Sequence, residues 1–158
     1  SSELIRKSIL SLDFKFVKSS LGRNWAVTGD VLKGDQNGRK LGFATANLQL
    51  LKILEPKFGV YFTRTRIMKQ DGSDFTSEYM PSITNFGIRP TLDGRKKLFE
   101  THILNYENLF KNNEIYDCRI FVELLGFLRE EKKFNSFDTL KDQILNDVKI
   151  AKQFHENK

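Results

Sequence analysis

The sequence is short of cysteine, histidine and long apolar runs, and each shortage excludes a class of protein. Cys118 is the single cysteine among 158 residues and there are two histidines, so neither an internal disulfide nor a zinc cluster is expected. No segment approaches the roughly 18 consecutive apolar residues of a membrane-spanning helix. The first residues also lack the apolar core of a secretory signal. We therefore expect a reduced, cytoplasmic setting and no membrane partner.

The formal net charge of +6 would suit a nucleic-acid-binding protein, but the distribution of the charge does not favour that function. The 26 lysines and arginines are spread among 20 acidic residues. Scattered charge of this kind is typical of a solvated surface. We expect no nucleic-acid partner. A small basic barrel that binds single strands through aromatic side chains is kept as an alternative.

The first 22 residues predict a helical lead-in to the main domain. Asp13 can cap a second short helix that carries Phe14 and Val17, and Gly22 can end it in the left-handed conformation. The rest of the chain has enough apolar residues for one sizeable core, since 39% of the sequence is hydrophobic and fourteen residues are Phe. We therefore divide the chain into a lead-in, residues 1–22, and one domain, residues 23–158.

The domain predicts β-strands followed by a single helix. Alternating or short apolar runs predict six strands, at residues 25–33, 44–51, 58–67, 79–86, 98–104 and 114–125. Asp71 and Gly72 signal a hairpin turn, and Pro81 implies an edge strand or a strand start. Residues 87–97 contain Pro90 and Gly94 and predict a loop.

The last predicted element is a helix that Ser136 or Asp138 can cap, with an apolar stripe facing the core. The stripe recurs at gaps of three and four residues and consists of Phe137, Leu140, Ile144, Val148, Ala151 and Phe154. Because consecutive strands have no helices between them, the sheet should be antiparallel, and closure into a barrel would remove its exposed edges. The expected fold class is mainly β: a six-stranded antiparallel Greek-key β-barrel with an N-terminal helical lead-in and a long C-terminal helix.

A glycine-rich stretch, residues 29–47, is the best candidate for a ligand site. Glycines allow tight turns, and basic side chains beside them suit a phosphate. The candidates for phosphate contact are Gly29, Gly34, Gly38, Arg39 and Lys40. Thr45 and Asn47 share a face of an extended chain and offer neutral oxygens to Mg²⁺. The phosphates of ATP would complete the coordination shell of the ion. The stretch matches neither GxxxxGK[ST] nor GxGxxG. Two ordinary glycine-rich hairpin turns are the alternative interpretation.

Several motifs in order resemble the riboflavin kinase family. They are the glycine-rich stretch ending in LGFATANL, SITNFGIRPT at residues 82–91, ETHI at 100–103 and LREEKKF at 128–134, followed by the final helix. Two positions depart from the family pattern. Ala44 stands where a proline is expected before Thr45, and Glu130 stands where proline is common. Because proline fixes φ, these loops should be freer here.

The resemblance implies phosphoryl transfer from Mg-ATP to riboflavin, giving FMN and ADP. It assigns the general base to Glu100. It places ATP on the glycine-rich stretch, with Mg²⁺ at Thr45 and Asn47. It implies that riboflavin is bound by Asn85, Arg89, Thr91, Arg129 and Phe134. Phe134 could instead be a core residue that fastens the last helix, and His102 is expected to be a neutral structural histidine. A catalytically weak flavin or nucleotide carrier is the alternative in another class.

The first residues, SSELIR, resemble the closing motif of the adenylyltransferase domain that precedes the kinase in bifunctional bacterial enzymes. The chain also begins without Met, which suggests a processed product or a piece cut from a longer protein. The resemblance implies that residues 1–22 are a remnant of that preceding domain and that the natural protein is fused to it. No HxGH-type motif is present, so we expect no conversion of FMN to FAD. We expect this chain to be a monomer.

Overall fold

The chain begins with two short helices, α1 (Ser2–Leu10) and α2 (Phe14–Leu21). The structure is a computed structural model and describes residues 1–32, 45–49, 54–74, 76, 78–105 and 115–157. Asp13 caps α2 by accepting a 3.2 Å hydrogen bond from the Phe16 N–H. Gly22 ends the helix with a φ of 73°, in the left-handed region. Both predicted helix-end signals are confirmed.

Six antiparallel strands follow in the described part of the chain, as predicted. They are β1 (Ala26–Asp30), β2 (Ala46–Gln49), β3 (Gly59–Met68), β4 (Met80–Thr91), β5 (Gly94–Ile103) and β6 (Arg119–Arg129). Their order in the sheet is β1-β6-β3-β4-β5-β2. Strands β3, β4 and β5 are consecutive neighbours, and β6 returns to lie beside β3, which is the Greek-key arrangement. The expected topology is therefore confirmed.

The two outer strands of this order approach each other and nearly close the barrel. The Leu32 N–H, two residues beyond β1, donates a 2.8 Å hydrogen bond to the Asn47 carbonyl in β2. Gly29 makes this approach possible, because a Cβ on it would lie 2.3 Å from Leu48 Cδ1. The near closure pairs edges that would otherwise be open to other chains.

The interior of the barrel combines large apolar side chains with a ladder of hydroxyl groups. Tyr61, Phe86 and Phe99 are fully buried, and the Phe86 and Phe99 rings stack with centroids 4.4 Å apart. Five buried hydroxyl side chains are linked by hydrogen bonds of 2.7–2.9 Å: Thr63, Thr65, Ser82, Thr84 and Thr101. Because each hydroxyl can donate and accept, these polar groups are satisfied away from water.

The final helix, α3 (Phe137–Glu156), packs on the outer face of the sheet. Ser136 is its N-cap, one of the two residues predicted for that role. Ala151 and Val148 pack with a second apolar cluster outside the barrel, and Phe154 stacks on Phe62 with centroids 4.1 Å apart. The predicted stripe is wrong at Phe137, which is 58% exposed because it lies in the first turn, ahead of the packed part. No described helix is long and apolar enough to cross a membrane.

The prediction of a loop at residues 87–97 is wrong. Strands β4 and β5 continue through it as a hairpin, with Pro90 opposite Arg95 and a two-residue turn at residues 92–93. The β3–β4 pairing extends only to Phe86, so the rest of β4 has a partner strand on one side and tolerates a proline. The projecting hairpin is largely exposed, which explains its loop-like polar composition. Pro81 is the second residue of β4, in agreement with the prediction that it marks the start of a strand.

Candidate active site

A row of polar side chains crosses the outer face of the sheet. Glu100 of β5 lies directly opposite Asn47 of β2 on one side and Asn85 of β4 on the other. Directly opposed residues of antiparallel strands point to the same face. The next position in the row is Val60 of β3, followed by Arg129 of β6. The fold thus aligns four residues that the sequence motifs had assigned to one site.

Glu100 is held by one arginine and keeps access to solvent. The Arg89 Nε donates a 2.6 Å hydrogen bond to Glu100 Oε1, and the Glu100 side chain is 26% exposed. The same guanidinium approaches a second carboxylate, with Arg89 Nη1 lying 3.6 Å from Glu131 Oε2. Arg89 therefore links the middle of the row to the segment that follows β6.

Asn47 and Asn85 each carry a buried side-chain oxygen without a partner. Among the described residues, nothing donates a hydrogen bond to either Oδ1 atom. Such orphaned acceptors are rare in folded proteins, because burying a polar atom without a partner is unfavourable. Both atoms flank Glu100. This is the arrangement expected of groups that receive their partners from a bound ligand or cation.

The donor set at Asn47 fits a hard cation that arrives with phosphates. Its free amide oxygen is a suitable Mg²⁺ ligand, and Thr45 lies just before β2. Within the described part of the chain, no group of three or more His, Cys, Asp and Glu side chains is arranged to hold a metal. A cation here would therefore take much of its coordination from the ligand.

Arg129 is held by a buried carboxylate of α3. The Asp147 side chain accepts hydrogen bonds of 2.7–3.0 Å from the Nε and Nη2 atoms of Arg129, and Asp147 is 3% exposed. Arg129 Nη1 also donates to the Glu130 carbonyl at 2.9 Å. Most of the fork of this predicted substrate-binding residue is thus engaged within the protein. The pair of Arg129 and Asp147 therefore holds the end of β6, from which residues 130–134 continue.

A β-bulge brings Arg129 to the side of the sheet that carries α3. Tyr61 pairs with Phe127 while the adjacent Val60 pairs with Arg129, so one residue of β6 is extra. Phe127 packs with the barrel core, whereas Leu128 packs with the cluster under α3. The extra residue resets the alternation and directs Arg129 toward Asp147.

Two ion pairs anchor the segment after β6: Lys57 with Glu130, and Arg89 with Glu131. Lys57 Nζ lies 2.6 Å from Glu130 Oε1, and this hydrogen bond and positive charge hold the pKa of Glu130 below its ordinary value. Glu131 lies over Gly87, where a Cβ would come within 2.6 Å of Glu131 Oε1. Gly87 is therefore needed for the close approach of this carboxylate. Glu130, which stands where the family pattern has a proline, is thus paired with Lys57.

A cleft of about 420 Å³ joins two predicted flavin-binding stretches. Ile88 and Pro90 come from the β4 stretch, and Glu131 and Lys133 come from the segment after β6. Phe58 and Arg95 complete the lining. The cleft has apolar and charged walls, a combination suited to a flat aromatic ligand with polar edges.

The other predicted site residues are placed as follows. Gly29 lies in β1, where its missing side chain accommodates Leu48. Gly34, Gly38, Arg39 and Lys40, together with the departure at Ala44, lie outside the described residues. Thr91 ends β4, and Phe134 is partly buried ahead of α3. His102 is partly buried in β5, and Cys118 is buried.

Sequence reasoning missed Glu131 and Asp147. Asp147 did carry a signal, because it lies three residues after Ile144 and four before Ala151, within the apolar stripe of α3. A carboxylate on a packed face requires a cationic partner. Glu131 carried no comparable signal, since LREEKKF contains several charged residues and only the fold selects the one that reaches Arg89.

Comparisons with known proteins agree with these motifs. A family model described as flavokinase, riboflavin kinase, matches residues 21–155. A bifunctional riboflavin kinase/FMN adenylyltransferase from Haemophilus influenzae is 34% identical over 154 residues, covering 98% of this chain and 46% of that protein. The protein of the same name from Escherichia coli K12 is 32% identical over 154 residues, covering 98% and 45%. The chain thus spans about half the length of these curated relatives.

The solved structures with similar folds include the following two. One is titled a macrolide-efflux protein from Streptococcus pneumoniae; it has a TM-score of 0.76 and 30% identity, with 96% of this chain and 46% of that chain covered. The other is a riboflavin kinase from Trypanosoma brucei, with a TM-score of 0.60 and 23% identity over 83% of this chain and 79% of that one. The second likeness supports the barrel fold.

Proposed function

The chain belongs to the riboflavin kinase family, and we propose that it transfers the γ-phosphoryl group of Mg-ATP to the ribityl 5′-hydroxyl of riboflavin, giving FMN and ADP. The observation that carries this proposal is the position of Glu100 between two buried amide oxygens without partners. One neighbour, Asn47, ends the predicted nucleotide stretch. The other, Asn85, opens the predicted flavin stretch. Glu100 would therefore lie between the two substrates.

Glu100 would act as the general base. Its carboxylate takes the proton of the ribityl hydroxyl while the hydroxyl oxygen forms a bond to the γ-phosphorus. The bond from that phosphorus to the bridging oxygen breaks, and ADP leaves with the electron pair. The Arg89 hydrogen bond orients Glu100 through Oε1.

Asn47 and Thr45 would hold the Mg²⁺ that accompanies ATP. When bound, the cation neutralises phosphate charge and so favours attack by an alcohol. Asn47 Oδ1 is available for this role because no described residue occupies it. The predicted phosphate contacts of Gly29, Gly34, Gly38, Arg39 and Lys40 remain predictions.

The flavin ring would occupy the cleft beside Glu131. Phe58, Ile88 and Pro90 offer it apolar surface, and Arg95 and Lys133 lie at its polar boundary. Asn85 would then receive the ribityl chain, because it belongs to the same strand as Ile88 and Pro90 and lies directly opposite Glu100. Thr91 and Phe134 remain predicted flavin contacts. Arg129 would contribute mainly by holding the start of residues 130–134.

The natural protein would carry an adenylyltransferase domain before the kinase. The curated relatives bear both activities in their names, and this chain covers less than half of each. Residues 1–22 would form the junction with that domain. We expect the present chain to be a monomer that needs neither nucleic acid nor membrane.

Glu100→Gln tests the proposed base. Incubated with riboflavin and Mg-ATP, the parent should form FMN, and the variant should lose about 10²- to 10⁴-fold in turnover because the amide cannot accept the proton. FMN is quantified by chromatography. Quenching of flavin fluorescence should show that the variant still binds riboflavin.

Glu78→Gln is the matched control, because Glu78 is exposed and lies outside the row. It should retain the parent's turnover. FMN formation by Glu100→Gln at the parental rate would refute the role of the base. Riboflavin binding without FMN formation by the parent would favour a flavin carrier instead.

A further inference from the structure

Arg89 lies between two carboxylates that come from different parts of the chain. Its Nε donates to Glu100 Oε1 at 2.6 Å, and its Nη1 lies 3.6 Å from Glu131 Oε2. The three side chains are 26–32% exposed, so a substrate could reach the group. Arg89 Nη1 also donates to the Ile88 carbonyl at 3.1 Å, which holds the guanidinium near its own strand. One cation thus serves two anions.

The reaction itself would change the charge of one of these anions. This step rests on the proposed function. When Glu100 accepts the hydroxyl proton it becomes neutral, so its ion pair with Arg89 loses the negative partner. In the same step the hydroxyl oxygen receives the phosphoryl group. That oxygen is the one whose proton Glu100 took, so the new phosphate forms within reach of the groups that surround Glu100.

We propose that Arg89 exchanges partners during turnover, from the carboxylate of Glu100 to the phosphate of the forming FMN. Before transfer it orients the base. After transfer it stabilises the charge that has arrived on the acceptor, because a guanidinium pairs well with phosphate oxygens. The exchange needs no large movement, since Glu131 and the Ile88 carbonyl keep Nη1 in place.

Glu131 has a distinct part in this arrangement. Its negative charge restrains Arg89 and lies close to where the phosphate forms, so it weakens the hold on FMN and favours product release. Its approach depends on Gly87, where no side chain blocks the carboxylate. Removing the charge of Glu131 and removing the charge of Arg89 should therefore shift FMN binding in opposite directions.

The affinities for FMN and riboflavin, measured by fluorescence quenching without nucleotide, test the exchange. Arg89→Met should weaken FMN binding about tenfold while riboflavin binding changes little, because only FMN carries the phosphate. Arg89→Lys should restore part of the FMN affinity, since it keeps the charge without the fork. Glu131→Gln should tighten FMN binding relative to riboflavin.

Turnover separates this inference from the proposed function. Arg89→Met should lower kcat about 10- to 100-fold, with a smaller change in KM for riboflavin, because Arg89 orients the base and contacts the phosphoryl group only as transfer proceeds. Thermal melting checks that each variant is folded. The exchange would be overturned if Arg89→Met lost FMN and riboflavin affinity equally. It would also be overturned if Arg89→Met and Glu131→Gln shifted the affinity for FMN in the same direction. Failure of the parent to form FMN would instead overturn the kinase assignment.

Discussion

At the scale of single residues, the pair of Arg129 and Asp147 explains how α3 is fastened beside the site. A buried carboxylate is unfavourable unless a well-placed cation compensates it. Arg129 supplies two donors in a fixed fork, and Gln143 Nε2 adds a 2.8 Å hydrogen bond to Asp147 Oδ1. The pair joins the end of β6 to the middle of α3. It therefore positions the segment that carries Glu131.

Asp147→Asn should lower the free energy of unfolding by about 3 kcal/mol, because it leaves the largely buried Arg129 side chain without its countercharge. Urea denaturation measures the change. Asp142→Asn, on the exposed face of the same helix, is the control and should alter stability by less than about 0.5 kcal/mol. Arg129→Met combined with Asp147→Asn should cost less than the sum of the two single changes. Additive losses would show that the two residues do not stabilise the fold as a pair.

At the scale of elements, β6 is tied to both of its neighbours by the Glu123 carboxylate. Glu123 is 8% exposed and accepts hydrogen bonds from Arg64 of β3 at 2.5 Å and from Asn24, ahead of β1, at 2.8 Å. Burial by itself raises the pKa of Glu123. The hydrogen bonds and the charge of Arg64 outweigh burial, so the pKa is lowered from its ordinary value of 4.5.

The lowered pKa predicts that part of the stability is lost in acid. A carboxyl group with a lower pKa in the folded chain stabilises fully above its unfolded value, and this contribution disappears as pH falls from 4.5 through the folded pKa. The free energy of unfolding should therefore decline over this range. Urea denaturation at a series of pH values should show a shallower decline for Glu123→Gln. The exposed control Glu78→Gln should decline like the parent, and an identical slope in Glu123→Gln would refute the prediction.

At the scale of the whole molecule, the barrel places Asn47 and Asn85, which come from the two predicted substrate regions, on one outer face. β2 contains the end of the predicted nucleotide stretch, β4 carries the predicted flavin stretch, and β5 lies between them with Glu100. The helix α3 covers another part of the same outer face and supports the segment after β6. The candidate site therefore depends on contacts that join both halves of the chain.

The chain alone should make no FAD from FMN and Mg-ATP. The resemblance assigns adenylyl transfer to a preceding domain with an HxGH-type motif, and the two histidines here, His102 and His155, lie far apart in the sequence. Chromatography of the reaction mixture measures the product. Conversion of riboflavin to FMN by the same preparation is the positive control. FAD above the level of a protein-free blank would contradict the division of the domains.

The sequence by itself determined the class of fold and the identity of many candidate residues. Helix caps at Asp13 and Ser136, the stop at Gly22 and the six strands depend on neighbours a few residues away, so local patterns predict them. The ordered motifs indicated the family and singled out Glu100. Composition misled at residues 87–97, because a hairpin that projects into solvent has the polarity of a loop.

Only the tertiary structure decided which side chains meet. The row from Asn47 to Arg129 depends on the register of five strands, and the bulge in β6 changes the direction of Arg129 without a local sequence signal. Arg89 could have paired with many acids, and the fold brings Glu100 and Glu131 to it. The physical reason is that charge pairing between distant segments depends on geometry, which local periodicity does not specify.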